Sequence, residues 1–309
     1  MGGQQRVYKQ RIRSTETLAK VFRAMELIAA SRIAKAREQA SFANPFDVAL
    51  TKAVAAVAMH SNMEHPMLKE RSDTNRVAVL AVTSDRGMAG AYSATILRAT
   101  DNHIEELRER GKEPMLFTSG RRAQSYYHFR GVEVEKEWMG HSDSPDPDTA
   151  DDIAQTLLEH FLAPADEGGV DELHIVFTRF HNMVRQTPEI RKILPMKVVD
   201  ETEAQELHFS DNFTNTDSGN VLPLYDFEPS ADEVLAMLLP MYVKSRIRNA
   251  LLQSAASELA NRQRAMHTAN DNAQELIGKY TRLANSARQA EITTEITEIV
   301  SGADALASN

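Results

Sequence analysis

The chain has 309 residues, of which 42% are hydrophobic, and its formal net charge is −9. It contains no cysteine, which excludes disulfides, thiolate zinc sites and thiol nucleophiles. No apolar stretch approaches the roughly 20 residues of a membrane span, and the basic N-terminal segment lacks the apolar run of a signal peptide, so we expect a soluble, cytoplasmic protein.

Basic residues concentrate near the two ends of the chain. Residues 1–40 hold nine Lys or Arg against three Asp or Glu, and residues 241–290 hold eight against three, so the rest is strongly acidic. Basic ends beside an acidic middle indicate a surface that binds an acidic partner or nucleic acid. A solvated basic face with no partner accounts for the same charges equally well.

The N-terminal segment carries an apolar stripe at alternating spacings of three and four residues, which is typical of a coiled-coil helix. The stripe consists of Ile12, Thr15, Ala19, Phe22, Glu26, Ala29, Ile33, Ala36 and Ala40. A second stripe lies beside it, which predicts apolar surface beyond what one partner helix covers. This second stripe consists of Leu18, Val21, Met25 and Ile28.

Strand-like and helix-like segments alternate between residues 75 and 205. Apolar runs predict strands at residues 76–84, 113–119, 132–138 and 171–178, and helical patterns predict helices at residues 91–110, 121–129 and 149–162. This alternation indicates a layered α/β domain with a largely parallel sheet. Residues 206–229, which are rich in turn-forming residues, are predicted to connect this domain with the C-terminal segment.

The turn after the first predicted strand, residues 83–90 (TSDRGMAG), lies where a dinucleotide-binding loop would lie. Its glycines have the spacing G-x-x-G rather than G-x-G-x-x-G, and the sequence contains no G-x-x-x-x-G-K-[ST] motif. The pattern therefore favours a tight strand-to-helix turn over a nucleotide site.

Neither a metal site nor a catalytic constellation is predicted. His60 and His65 are five residues apart, but the sequence contains no H-E-x-x-H and no G-x-S-x-G motif. The acidic stretch at residues 143–152 could attract a cation, although a solvated linker is favoured. We therefore expect no catalytic, cofactor-binding or metal-binding residue.

The C-terminal segment predicts one long helix. It opens with a capping box from Ser230 to Glu233, and no strong breaker follows Pro240, since a helix tolerates a glycine such as Gly278 at a cost of about 1 kcal/mol. About 65 helical residues would measure roughly 100 Å. The apolar stripe of this helix consists of Leu238, Met241, Ser245, Arg248, Leu252, Ala255, Leu259, Arg262, Met266, Ala269, Ala273, Leu276, Tyr280, Leu283, Ala287 and Ala290.

Two such helices are natural partners, so we predict that residues 1–57 and 230–309 pair as an antiparallel coiled coil. Arg262 interrupts the apolar stripe of the second helix. Because an unpaired guanidinium is costly to bury, we expect Arg262 to reach solvent or a carboxylate.

Four segments closely resemble the gamma subunits of bacterial F-type ATP synthases: residues 12–38, 83–90, 258–277 and 286–306. The resemblance covers the whole chain and is most specific near the C-terminus. It implies an α/β protein with a long antiparallel coiled coil of N- and C-terminal helices and a Rossmann-like α/β domain at residues 75–205. It also implies a non-catalytic central-stalk rotor that couples proton flow to ATP synthesis on the beta subunits.

The resemblance further implies the partners: the alpha3-beta3 hexamer, the epsilon subunit and the c-ring, at the cytoplasmic face of the bacterial plasma membrane. Met25 and Arg262 match family positions that face acidic loops of the beta subunits. Arg288, Gln289 and Thr293 match positions that contact the hexamer. The cysteine pair of chloroplast members is missing, and residues 163–170 look longer than in many relatives.

Two other functions fit parts of the sequence. An α/β nucleotide-dependent enzyme that oligomerises through a coiled coil would need a phosphate-binding loop, which the spacing of the glycines does not supply. A nucleic-acid-binding protein would use the basic helices, but few aromatic residues are interleaved with the arginines there.

Overall fold

The computed structural model describes residues 3–60, 67–69, 71, 73–196, 228 and 230–307. The predicted connecting loop at residues 206–229 therefore lies, except for Glu228, outside the described residues. The elements are α1 (Gly3–His60), β1 (Arg76–Val82), α2 (Tyr92–Glu109), β2 (Glu113–Ser119), α3 (Arg121–Phe129), β3 (Lys136–Trp138), α4 (Pro147–Leu162), a 3-10 turn (Ala165–Glu167), β4 (Glu172–Phe180), β5 (Gln186–Leu194) and α5 (Ala231–Ala307).

The five strands form one sheet in the order β3-β2-β1-β4-β5. The first four strands in this order are parallel, whereas β5 is antiparallel to β4. The predicted bounds of β2 and α3 are confirmed, but the strand predicted at residues 132–138 begins only at Lys136. β5 was not predicted, because it contains Pro188 and several charged residues, which a sheet tolerates only at its edge.

The sheet is covered on both faces. On one face α2 and α3 pack against β1 and β2 through Ile96, Leu107 and Tyr127. On the other face α4 packs together with the inner ends of the two terminal helices. These inner ends contribute Leu50, Val54, Val57, Leu235, Leu239, Val243 and Ile247 to the same core as Leu80 and Phe117. The terminal helices are therefore part of the α/β layers as well as of the coiled coil.

The chain divides into two compact units, Met1–Ser31 with Arg262–Asn309 and Arg32–Asn261. In the first unit the two helices are antiparallel, because Tyr8 stacks near Tyr280 and Glu26 accepts a hydrogen bond from His267. The side chains buried in this unit are mostly small. The apolar ones are Ala19, Ala29, Met266, Ala273 and Ala284.

The apolar stripe predicted for α5 is correct only in part. Leu252, Ala255, Leu259 and Met266 are buried, but Leu276 and Leu283 are 42% and 38% exposed. The buried positions Ala273 and Ala284 instead differ by 11 residues, a repeat of about 3.67 residues per turn that an almost straight helix follows. Heptad spacing therefore does not hold toward the C-terminus.

One of the two bonds of the predicted capping box is observed, since the backbone N–H of Glu233 donates to Oγ of Ser230 at 3.2 Å. α5 then continues through Pro240 to Ala307 without a break. None of the helices that the structure describes is both long and apolar enough to cross a membrane.

Candidate partner-binding surfaces

Large apolar side chains of α1 lie exposed in the first unit. Leu18, Val21, Leu27 and Ile28 are each about half exposed. Leu18, Val21 and Ile28 belong to the second apolar stripe predicted from the sequence, and the partner helix leaves them open, whereas the fourth member, Met25, is half-buried. Leu27 lies on the opposite side of α1. A contiguous exposed apolar face of this kind is typical of a binding site for another protein.

A second exposed apolar face lies near the end of α5. Ile292, Ile296, Ile299 and Val300 are all exposed, and Ile299 is 72% exposed. Arg288, Gln289 and Thr293 lie on the same part of α5 and are exposed as well. Oγ1 of Thr293 donates to the backbone carbonyl of Gln289 at 2.9 Å, so the hydroxyl is held against the helix. Their contacts with a hexamer stay a prediction.

Met25 and Arg262 differ in how accessible they are. Met25 is half-buried, whereas Arg262 is only 6% exposed and interacts within the chain. Of the two environments expected for the guanidinium of Arg262, the structure therefore excludes solvent. A contact between Arg262 and a partner would require its side chain to move, and that contact stays a prediction.

Glu26 is the buried polar member of the stripe on α1. Its Oε2 accepts a hydrogen bond from Arg23 at 2.8 Å, and its Oε1 lies 3.1 Å from Nδ1 of His267. Burial acts to raise the pKa of Glu26, but these two hydrogen bonds hold it below its usual range. Nε2 of His267 lies 3.5 Å from Asp271, so the imidazole lies between two carboxylates.

In the turn at residues 83–90, Asp85 binds backbone amides. Its carboxylate accepts hydrogen bonds from the N–H groups of Gly140 and Ser142 at 2.9 Å and of Arg121 at 3.1 Å. Burial acts to raise the pKa of Asp85, but these bonds hold it below its usual range. Arg121 begins α3, so a carboxylate of the chain occupies the helix N-terminus where an anionic ligand would bind. This geometry favours the structural interpretation of the turn.

An open groove of 430 Å³ lies beside this turn. Arg86 and Arg122 line it, and neither guanidinium has an ion-pair partner within the described ranges. Gly87 makes room for Arg122, because a Cβ at Gly87 would lie 2.3 Å from Nη2 of that arginine. Arg122 was not predicted to lie here, since only the fold brings it to the turn at residues 83–90.

The acidic stretch at residues 143–152 is not a solvated linker, so that interpretation was wrong. Asp146 caps α4 by accepting from the N–H of Thr149 at 2.6 Å. Asp143 pairs with Arg32 at 2.5 Å, and Asp152 accepts from Nε1 of Trp138 at 2.5 Å. These three carboxylates are therefore occupied by groups of the chain.

The structure describes no group of three side chains that could hold a metal ion. The side chains of His60 and His65 lie outside its described part.

The segment at residues 163–170 is tied to the start of the sheet. Nη1 of Arg71 donates to the carbonyls of Phe161 and Ala163, and Nη1 of Arg76 donates to the carbonyl of Ala165 at 2.8 Å. Gly169 is required by close packing, because a Cβ there would lie 2.2 Å from the carbonyl oxygen of Ala163. The segment has a defined structural role, whatever its length in relatives.

Comparisons with known proteins agree with this architecture. The family model described as ATP synthase matches residues 4–306. The ATP synthase gamma chain of Beutenbergia cavernae is 59% identical over 309 residues, which are 100% of both chains. The gamma chain of Acidothermus cellulolyticus is 53% identical over 306 residues, covering 99% of this chain and 98% of that one.

Solved structures share the fold at lower identity. A chain of the Euglena gracilis mitochondrial ATP synthase in its OSCP/F1/c-ring structure has a TM-score of 0.63 and 17% identity, covering 99% of this chain and 95% of that chain. A chain of the Tetrahymena thermophila mitochondrial ATP synthase central stalk and c-ring has a TM-score of 0.55 and 19% identity, covering 81% and 99%. Because its identity to these gamma chains extends over the full length of both proteins, this chain belongs to the ATP synthase gamma chain family.

Proposed function

We propose that this chain is the central-stalk rotor of an F-type ATP synthase, which couples proton flow through the membrane sector to ATP synthesis on the beta subunits. The observation that carries the proposal is the 59% identity to a gamma chain over the full length of both proteins. The chain itself is not the catalyst. Its partners are the alpha3-beta3 hexamer, the epsilon subunit and the c-ring, and it binds no nucleic acid.

The surfaces of the first unit support this role. A rotor must present different surfaces to the subunits around it, and the exposed side chains of Leu18, Val21 and Ile28 give α1 one apolar face. When such an asymmetric face turns inside a ring, it stabilises a different conformation of each catalytic subunit in turn. Met25, Arg262, Arg288, Gln289 and Thr293 are the residues we assign to contacts with the ring.

We place the chain at the cytoplasmic face of the bacterial plasma membrane, as a peripheral protein held there by its complex. Its membership in a family of ATP synthase subunits supports this location. The alternative function, an α/β nucleotide-dependent enzyme, finds no support in the turn at residues 83–90, where Asp85 occupies the amides. Calorimetric titration of the purified chain with Mg-ATP should show no saturable binding at micromolar concentrations.

Reconstitution tests the proposal directly. The complex is assembled in proteoliposomes with and without the chain, and ATP synthesis is measured under an imposed proton gradient. We expect synthesis only when the chain is present. Synthesis without the chain would contradict the proposal.

A matched pair of variants tests the apolar face. Replacing Leu18, Val21 and Ile28 together by Ser should weaken capture of alpha and beta subunits by the tagged chain, because it removes apolar area that the ring would bury. Lys20→Ser changes an exposed polar residue of the same helix and should capture them normally. Equal capture by both variants would remove this face from the interface.

A further inference from the structure

The last residues of β4 have no neighbouring strand on the side of β1. The pairing of the two strands ends at Ala81 with Val176, but β4 continues to Phe180. Backbone groups of alternate residues face the same side of a strand. The backbone N–H and C=O groups of Thr178 and Phe180 therefore face the side of β1 and need hydrogen-bond partners there.

Side chains of α5 bind these backbone groups in place of a strand. The N–H of Thr178 donates to Oγ of Ser254 at 3.4 Å, and Oγ of Ser257 donates to the carbonyl of Thr178 at 3.2 Å. The N–H of Phe180 donates to Oε1 of Gln253 at 3.1 Å. The helix thus continues the hydrogen-bonding edge of the sheet.

An apolar cluster surrounds this junction. Phe180 and Met183 pack against side chains of both terminal helices, namely Ile33, Ala36, Ala256, Leu259 and Ala260. Ser254 and Ser257 are 2% and 0% exposed, so water does not compete for their hydrogen bonds. One step further along, Nδ2 of Asn261 donates to Oε1 of Gln186 at 3.3 Å, where β5 begins.

The two kinds of contact constrain motion differently. Apolar burial is non-directional, so it constrains the angle and the axial position of a helix less strictly than hydrogen bonds do. Hydrogen bonds weaken steeply when their angles change, and the backbone of β4 is fixed by the strands beside it. The bonds from Gln253, Ser254 and Ser257 therefore set the angle and the axial position of α5 on the sheet.

We propose that Gln253, Ser254 and Ser257 are positioning residues that transmit torque between the sheet and α5. The inference rests on the proposed rotor function and names the joint inside the rotor on which that function depends. Apolar contacts keep the joint closed, and the three side chains prevent it from slipping under load.

Variants of Gln253 give the sharpest test. Gln253→Leu removes the acceptor for the N–H of Phe180, whereas Gln253→Glu keeps an acceptor oxygen at the same place. In reconstituted complexes, Gln253→Leu combined with Ser254→Ala and Ser257→Ala should lower the ratio of ATP synthesis to ATP hydrolysis severalfold. Gln253→Glu should keep the wild-type ratio, and so should Ser286→Ala, which changes an exposed serine of the same helix.

Hydrogen exchange on the assembled complexes shows whether the joint has opened. Faster exchange at Thr178 and Phe180 with a lowered ratio is the expected result. Faster exchange with an unchanged ratio of ATP synthesis to hydrolysis overturns the inference but does not contradict the rotor function. The rotor function itself is contradicted if wild-type complexes show no coupled ATP synthesis. If the triple variant does not assemble, the single variant Gln253→Leu is tested instead, since this side chain is only half-buried and its loss should be tolerated. An unchanged ratio of ATP synthesis to hydrolysis in this variant would also overturn the inference.

Discussion

The two units of this chain differ in how far they bury their large apolar side chains. In Arg32–Asn261 the strands are covered on both faces, and large side chains such as Phe117, Phe161 and Leu157 are fully buried. In the helix pair of the other unit the buried residues are mostly alanines, while Leu18 and Ile28 remain half exposed. The α/β unit needs no partner to bury its core. The helix pair leaves its largest apolar side chains for another protein to cover.

The largest difference between the units should appear when large apolar residues are truncated. Leu157→Ala removes a fully buried side chain and should lower the free energy of unfolding of the chain by about 2–5 kcal/mol. Leu18→Ala removes a half-exposed side chain and should change it by less than about 0.5 kcal/mol. Urea unfolding of the purified full chain measures both. Similar losses for both variants would break the comparison.

A second difference concerns pH. In the α/β unit, Nε2 of His103 lies 2.7 Å from Nδ1 of His174, with Glu106, Arg110 and Glu172 as the charged groups nearby. Burial, with a smaller contribution from His174, lowers the pKa of His103 from 6.5. The unfolded chain then binds more protons below pH 6.5, so stability is complete above this pH and is lost as the pH falls.

The loss at His103 should reach at most about 1.4 kcal/mol per pH unit. Thermal unfolding of the full chain between neutral pH and pH 5 should therefore show a smaller decrease for His103→Gln than for the wild type. Parallel curves for the two proteins would mean that His103 does not carry the pH dependence.

In the helix pair, the corresponding polar group is Glu26. Its pKa is lowered, so its contribution to stability is present above the usual value of 4.5 and is lost as the pH falls through the folded-state value. Glu26→Ala leaves Arg23 and His267 without this partner and should cost about 1 kcal/mol. Hydrogen exchange of the amides near residues 23–29 reports the loss. Glu16→Ala, which changes an exposed glutamate, should leave that exchange unchanged.

Met25→Lys should have the smallest effect on stability, because Met25 is only half-buried and a lysine can extend into solvent. On the proposed contact of Met25 with acidic loops of the beta subunits, an added cation would strengthen the attraction, and a rotor bound more tightly at one angle passes less readily to the next. We expect Met25→Lys to preserve assembly and much of the ATP hydrolysis while it lowers proton-coupled ATP synthesis, both rates being measured on the same reconstituted complexes. Ala24→Lys adds the same charge at an exposed neighbouring position, and an equal effect there would show that charge alone matters.

Patterns within a short stretch of sequence predicted those helices and strands that such patterns determine. The bounds Glu113–Ser119 and Arg121–Phe129 follow from an apolar run and the helical segment behind it. β5 was missed because its pairing with β4 is not visible in its own mixed composition. The acidic stretch was misread because Asp143 pairs with Arg32, which is 111 residues away.

The partner surface was predictable to a similar degree. The second stripe on α1 follows from helical spacing, and its exposure is observed. The burial of Arg262 and the joint formed by Gln253, Ser254 and Ser257 depend on which elements meet, which spacing does not encode. Sequence therefore predicts which side of a helix is apolar better than it predicts what covers that side.

The inner ends of the terminal helices set a condition on biosynthesis. Leu50 and Val54 share a core with Leu239 and Val243, so a segment made early must wait for one made nearly 190 residues later. At typical ribosomal speeds this delay lasts roughly 10 to 40 seconds. During that time the apolar side of the first helix lacks the cover that α5 supplies, and such an uncovered apolar surface is what chaperones bind.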